Sequence, residues 1–254
     1  MTTSPDTIAA RFVEARALAR QFEAAADLGP ATAQDAYQVQ DLVFASLYPG
    51  QRAGAWKVGG PRPEIEPTAA PIPSACLYTS PARVAAQDFH MIGIEVEIAF
   101  RLGRDLPPRA ARYSEEEIAA AMDEALVTIE LCDTRLANWK QASALWRLAD
   151  FQLNAALVVG SGTQAWRAID FSQARAELWI DGALSLEATG VHPYGNPIRL
   201  LPWLAAHNAG RCGGLGAGNV ITTGTWTGMK FVAPGAEVLA RFPGIGEARV
   251  TIQK

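Results

Sequence analysis

Glu95 and Glu97 alternate with aliphatic residues in Gly93-Ile94-Glu95-Val96-Glu97-Ile98-Ala99-Phe100, and Glu130 sits alone in the apolar run Leu126-Val127-Thr128-Ile129-Glu130-Leu131. Strand side chains repeat with period two, so Glu95 and Glu97 share one face and Ile94, Val96 and Ile98 the other. Two strand steps put their Cα atoms roughly 7 Å apart. Charges about 6 Å apart repel by roughly 3 kcal/mol at an effective dielectric of 20, and by less than about 1 kcal/mol in water. A buried pair therefore needs a cation, whereas a solvated pair on an edge strand needs nothing. Glu130 favours the cation, since a lone carboxylate among Val127, Ile129 and Leu131 is costly to bury unpaired. Its other reading is a salt bridge to a neighbour such as Arg135. Three carboxylates without clustered histidines make an all-oxygen site that suits Mg²⁺ or Mn²⁺ and disfavours zinc.

Lys57 stands in Ala55-Trp56-Lys57-Val58-Gly59-Gly60, between glycine-bearing turns. It reads either as a surface lysine or as a group that moves a proton or neutralises a substrate carboxylate. Thr222-Thr223-Gly224-Thr225-Trp226-Thr227-Gly228 offers hydroxyls at a strand end. His90, His192 and His207 are too scattered for a ligand motif. There is no G-x-S-x-G elbow, and the glycine run 213–218 precedes a strand and misses the dinucleotide spacing.

Elements must position these groups. Ile8, Phe12, Ala15, Leu18 and Phe22 keep a helical spacing, with Asp6 or Thr7 as the expected cap. Thr32 and Asp35 form a capping box for a second helix ending near Pro49-Gly50. The proline-rich stretch 60–83 reads as an extended connection, so the expected organisation is a helical lobe with its connection over 1–75 and a main domain over 76–254. Ser114-Glu115-Glu116-Glu117 opens a helix expected to reach about Leu126. Leu157-Val158-Val159 reads as a buried strand, and Asp181-Gly182 as a type I′ hairpin turn. Asn196-Pro197 starts a helix that Pro202 should kink. Strands are expected at 220–223, 237–242 and 248–252.

The chain has 254 residues and a net charge of −4, with 49% hydrophobic residues. That fits one large globular domain, or a small lobe plus a larger one, and gives no basic footprint for nucleic acid. No apolar stretch spans a bilayer, and Met1-Thr2-Thr3-Ser4-Pro5-Asp6 lacks the features of a signal peptide. Cys76, Cys132 and Cys212 are odd in number and widely spaced, and read as inert reduced thiols of a cytoplasmic protein.

In order and spacing these segments resemble the 2-keto-4-pentenoate hydratase / 4-oxalocrotonate decarboxylase family of the fumarylacetoacetase superfamily. Asp35-Ala36-Tyr37-Gln38-Val39-Gln40 is similar to its early helix, and Trp56-Lys57-Val58-Gly59 to its lysine turn. Gly93–Glu97 and Ile129-Glu130-Leu131-Cys132-Asp133-Thr134-Arg135 are similar to its metal-ligand segments. His192-Pro193 with Trp203-Leu204-Ala205 resembles its late helix, and Thr223-Gly224-Thr225 its substrate strand. The resemblance implies a mixed α/β (α+β) chain, with a small helical N-terminal lobe and a fumarylacetoacetase-like mixed β-roll. It implies Mg²⁺ or Mn²⁺ on Glu95, Glu97 and Glu130, Lys57 in catalysis, and Asp150 and Thr225 at a small 2-keto acid. The metal would stabilise an enolate, with ketonisation of a dienol followed by addition of water. A cytoplasmic homo-oligomer is expected.

Two departures stand out. The family's Val-Asp-x-Pro-x-x-Gly segment after the lysine has no counterpart Asp, and its Asp-Asn-Ala-Ser-Ser stretch appears as Asp150-Phe151-Gln152-Leu153-Asn154. Decarboxylation and a non-catalytic metal- or ligand-binding homologue therefore stay open beside hydration. Hydrolysis by a His–Glu pair is disfavoured, since no histidine precedes His90.

Overall fold

The computed structural model describes residues 3–254; Met1 and Thr2, part of the segment read for a signal peptide, lie outside the described residues. Helix α1 (Pro5–Ala17) is capped by Ser4, which places Pro5 where its missing N–H costs nothing. It stops before Leu18 and Phe22, because Ala19 turns left-handed at φ 46°. Helix α2 (Ala33–Leu47) realises the Thr32/Asp35 capping box and packs on α1.

The strands of the first half are β1 (Ala53–Gly59), β2 (Thr68–Pro73), β3 (Leu77–Thr79), β4 (Ala82–Ala85) and β5 (Gly93–Leu102). After α3 (Glu115–Ala121) come β6 (Met122–Cys132), α4 (Ala144–Ala149), β7 (Asn154–Thr163), β8 (Arg175–Ile180) and β9 (Ala183–Thr189). Then α5 (Leu201–His207), β10 (Val220–Thr225), β11 (Lys230–Phe231), β12 (Glu237–Phe242) and β13 (Gly246–Gln253) complete the chain. One sheet of eight strands runs β2-β1-β10-β5-β6-β7-β3, with β11 beside β5, and a sheet of five runs β4-β13-β12-β8-β9. Parallel and antiparallel pairs are mixed, and β13 packs against β6 and β7 to join the sheets. The expected α+β class and mixed roll are present.

Several expectations need correction. β1 and β2 lie before residue 75 yet belong to the main sheet, so the helical lobe ends near residue 50 and the boundary at 75 would cut the sheet. The stretch 60–83 supplies two of the sheet's strands, its prolines in β2 lying on an edge where a missing N–H is tolerated. The Ser114 helix ends at Ala121, not Leu126, because the β-branched Val127 and Ile129 gain more by burial on one face of the sheet. Pro202 lies in the first turn of α5, which follows a 3₁₀ turn over Pro197–Leu200, instead of kinking a single helix. Asp181 and Gly182 do adopt positive φ, 52° and 77°, as the hairpin requires.

Period-two alternation gives the large sheet two unlike faces. Trp56, Val58, Ile94, Val96, Ile98, Phe100, Val127, Ile129 and Ile221 enter the main core. The other face carries a small apolar floor of Ala55, Ile72, Ala99, Leu126, Leu157 and Val220. Alternation puts Lys57, Glu95, Glu97, Thr128, Glu130 and Thr222 on that same face, beyond the floor. No helix among the described residues is long and apolar enough to cross a membrane.

Candidate metal and acid–base centre

β5 is interior to the sheet, between β10 and β6, so its carboxylates are not on a solvated edge. Glu95 lies directly opposite Glu130, while Glu97 pairs with Thr128 on one side and Thr225 on the other. Glu97 and Glu130 are both fully buried, and Glu95 is partly so. One oxygen of Glu97, Oε2, accepts from the Thr222 hydroxyl and, at 2.8 Å, from the Gly224 N–H. Gly224 has φ +101°, a conformation in which a side chain would be strained. Glu97 Oε1 and Glu130 Oε2 are buried and have no hydrogen-bond partner among the described residues.

Lys57 is on a strand, β1, and not in a turn or on the surface. Its Nζ lies 2.5 Å from Glu130 Oε1 and 3.2 Å from the Gln152 carbonyl oxygen. The expected alternative partner, Arg135, instead binds Asp150 at 2.6 Å. Burial opposes the Lys57 charge, but Glu130, Cys132, Glu95 and Glu97 outweigh it and raise its pKa. Burial, reinforced by Glu130 and Glu95, pushes Glu97 up to about 8. Glu95 is also raised, chiefly by burial, with Lys57 opposing. A site with three carboxylates and one ammonium thus holds excess negative charge in a low-dielectric setting, where like charges suppress ionisation.

Asp150 does not join this cluster through its side chain. Its carboxylate accepts from the Thr134 hydroxyl at 2.8 Å, the Arg135 N–H at 2.9 Å and Arg135 Nε at 2.7 Å, with Arg16 at 3.4 Å. The next three residues, Phe151, Gln152 and Leu153, are all left-handed, at φ 55°, 54° and 64°. Such residues cost on the order of 1–3 kcal/mol each unless their surroundings hold them. Asp150 anchors the start of this turn, and the turn aims the Gln152 carbonyl at Lys57. Thr225 is partly buried, with its hydroxyl toward Thr227. His192 is buried against the Thr223 carbonyl, and desolvation lowers its pKa.

Sequence reasoning brought Lys57, Glu95, Glu97 and Glu130 together and missed Cys132. Cys132 Sγ lies 3.7 Å from Glu95 Oε2 and 3.8 Å from Glu130 Oε1. The available signal was its position two residues after Glu130, hence on the same strand face. The Gln152 carbonyl carried no signal, since backbone groups are invisible to residue type.

A family model described as fumarylacetoacetate (FAA) hydrolase C-terminal matches residues 51–253. A 2-keto-4-pentenoate hydratase of Burkholderia vietnamiensis (strain G4 / LMG 22486) is 30% identical over 158 residues, 62% of this chain and 59% of that protein. A 2-keto-4-pentenoate hydratase of Paraburkholderia phymatum is 29% identical over 161 residues, 63% of this chain and 60% of that protein. The chain spans about three fifths of the length of the curated relatives it matches. The 4-oxalocrotonate decarboxylase from Pseudomonas putida G7, complexed with magnesium and adipate, has a TM-score of 0.84 at 20% identity, covering 98% of this chain and 97% of that one. At that identity the likeness is one of fold. The family match begins where the helical lobe ends and takes in β1, β5, β6 and β10, the strands that carry the carboxylates, the lysine and Thr225; the chain belongs to the fumarylacetoacetate (FAA) hydrolase family.

Proposed function

We propose that the chain is a divalent-metal-dependent hydro-lyase acting on a small 2-keto acid, similar to a 2-keto-4-pentenoate (2-hydroxypenta-2,4-dienoate) hydratase in the catabolism of aromatic compounds. The observation that carries this reading is the pair of buried, unpartnered oxygens, Glu97 Oε1 and Glu130 Oε2, on one sheet face with Glu95 and Lys57. Unpaired buried carboxylate oxygens are costly, and a cation is the partner that would satisfy both. The donor set fits Mg²⁺ or Mn²⁺, with Glu95, Glu97 and Glu130 as the residues that would hold it. Such an ion supplies Lewis acidity toward a 2-keto acid's carboxylate and 2-oxo group.

The chain's own groups have distinct tasks in this reading. Lys57 rests protonated, because the negative charge around it raises its pKa. It therefore enters as a proton donor, or as a fixed positive charge beside a developing anion. The Gln152 carbonyl holds its Nζ in place, and Asp150 acts as a positioning residue through the left-handed turn. Thr225, opposite Glu97 at the strand end, offers a hydroxyl to a substrate carboxylate. The apolar floor excludes water from beneath the carboxylates and strengthens every electrostatic contact above it.

The cytoplasmic, homo-oligomeric setting belongs to the same proposal, supported by the family resemblance and by three free thiols. A panel of 2-hydroxydienoates and 2-keto dicarboxylates, assayed with Mg²⁺ and Mn²⁺ and after EDTA treatment, tests the function. Metal-dependent hydration of a dienoate is expected, and loss of CO₂ from a dicarboxylate would replace hydratase by decarboxylase. Absence of turnover, together with no metal-dependent exchange of pyruvate C3 protons by NMR, would leave a binding protein.

A further inference from the structure

Cys132 is fully buried at the end of β6, facing the same side as Glu130. One ligand atom from each of Glu95, Glu130 and Cys132 can be chosen so that all lie within 4.8 Å of one another. The two sulfur–oxygen separations are 3.7 and 3.8 Å. A tetrahedral ion with sulfur at ~2.3 Å and oxygen at ~2.1 Å sets that separation near 3.6 Å. Both sulfur–oxygen separations are therefore within about 0.2 Å of what such an ion requires. The Glu130 oxygen of that separation, Oε1, also accepts from Lys57, so an ion at this place shares Oε1 with the ammonium. An independent observation, that Glu130 Oε2 is buried with no partner among the described residues, shows that the same carboxylate has a second oxygen to offer a cation.

Glu97 is the less free of the possible third ligands, because Thr222 and Gly224 already hold its Oε2. A hard ion has little use for sulfur and would take the remaining Glu97 oxygen. A thiophilic ion gains more from the thiolate. We propose that Glu95 and Glu130 form a shared two-carboxylate base with alternative third ligands, Glu97 for a hard ion such as Mg²⁺ or Mn²⁺ and Cys132 for a thiophilic ion such as Zn²⁺ or Cd²⁺. This rests on the carboxylate-site reading above. Binding in the second mode forms a metal–sulfur bond, breaks the S–H bond and releases its proton to the buffer. Three protein ligands leave a fourth position open, as in catalytic zinc sites. Zinc then competes with the hard ion for the same two carboxylates.

The experiment titrates the metal-free full chain with Cd²⁺ under reducing conditions, following the ultraviolet sulfur-to-cadmium charge-transfer band, with Mn²⁺ binding measured by calorimetry in parallel. A band saturating at equimolar Cd²⁺ is expected, suppressed by excess Mn²⁺. Cys132→Ser should abolish the band and weaken Cd²⁺ binding by about tenfold or more, with Mn²⁺ affinity changed by less than about threefold. Cys132→Ala serves the same purpose if the serine variant does not fold. Cys76→Ser and Cys212→Ser should retain the band. A full band in Cys132→Ser, or no band in wild-type protein that binds Mn²⁺, overturns the proposal while leaving the carboxylate site standing. Failure of wild-type protein to bind either ion overturns both.

Discussion

Lys57 and Glu130 are 73 residues apart in sequence, yet Nζ and Oε1 meet at 2.5 Å across β1 and β6, two strands that are not neighbours in the sheet. Among the described residues the ammonium is the one side-chain cation ion-paired with any of the three carboxylates, and its partner is Glu130. Removing one member of a buried pair leaves the other uncompensated. Lys57→Ala should therefore destabilise metal-free protein by about 3–5 kcal/mol, and saturating Mn²⁺ should recover part of that loss. Urea unfolding with and without Mn²⁺ measures both, and equal stability of variant and wild type would show that the pair does not hold the site.

Kinetics separate two roles for the same lysine. If Lys57 moves a proton, Lys57→Ala lowers kcat by about 10²- to 10⁴-fold. If it only holds a substrate carboxylate, KM rises with little change in kcat. Lys57→Arg keeps the charge but hardly deprotonates, so it should restore binding and not turnover. Wild-type kcat and KM in the alanine variant would remove Lys57 from the mechanism.

Each of Glu95→Gln, Glu97→Gln and Glu130→Gln should weaken Mn²⁺ binding by at least about tenfold, roughly 1.4 kcal/mol. The amide keeps the shape and removes the charge. Calorimetric titration decides the matter, and unchanged affinity in all three would sink the metal site.

Stability should depend on both pH and metal. Glu97 titrates at about 8 in the folded, metal-free protein against 4.5 for an ordinary glutamate. Between those values Glu97 holds more protons in the folded state than in the unfolded one, so its contribution to stability falls as pH rises. His192 and His207, whose pKa values burial lowers from 6.5, act the other way below about 6.5, so the fall due to Glu97 stands alone above that pH. Lys57, whose pKa is raised, contributes stability that is fully present throughout that window and therefore does not cancel the slope. Divalent metal binds the ionised form and should flatten or reverse the trend. Thermal melts from about pH 6.5 to about pH 8 with EDTA or Mg²⁺ check this, and a metal-free melting temperature that rises across that range would contradict it.

Asp150→Ala should cost about 3–5 kcal/mol, because Arg135 and Arg16 lose a buried anion, and should also free the turn that holds Gln152. Asp150→Asn keeps the acceptor oxygen and should cost less. If Asp150 positions Lys57, the asparagine variant lowers kcat while Mn²⁺ affinity stays near wild type. A change in KM alone would instead favour direct contact with substrate.

Residue order alone determined a good deal. The alternation around Glu95 and Glu97 required a strand with one charged face, and the lone Glu130 required a partner, because strand periodicity and the cost of burying charge are local rules. The Thr32/Asp35 cap and the Asp181-Gly182 hairpin were legible for the same reason. Only the tertiary structure decided which partners met. Nothing local says that β1 lies beside β10, so residue order left Lys57 as either a surface lysine or an acid–base group, and the sheet order is what sets it against Glu130. Nothing local assigns Arg135 to Asp150 rather than to Glu130, or turns the Gln152 carbonyl toward an ammonium. Cys132 passed as an inert thiol because strand pairing, not spacing along the chain, brings its sulfur to Glu95. Periodicity specifies which face a side chain takes, whereas register and strand order, set by the cooperative burial of the whole sheet, specify what it faces.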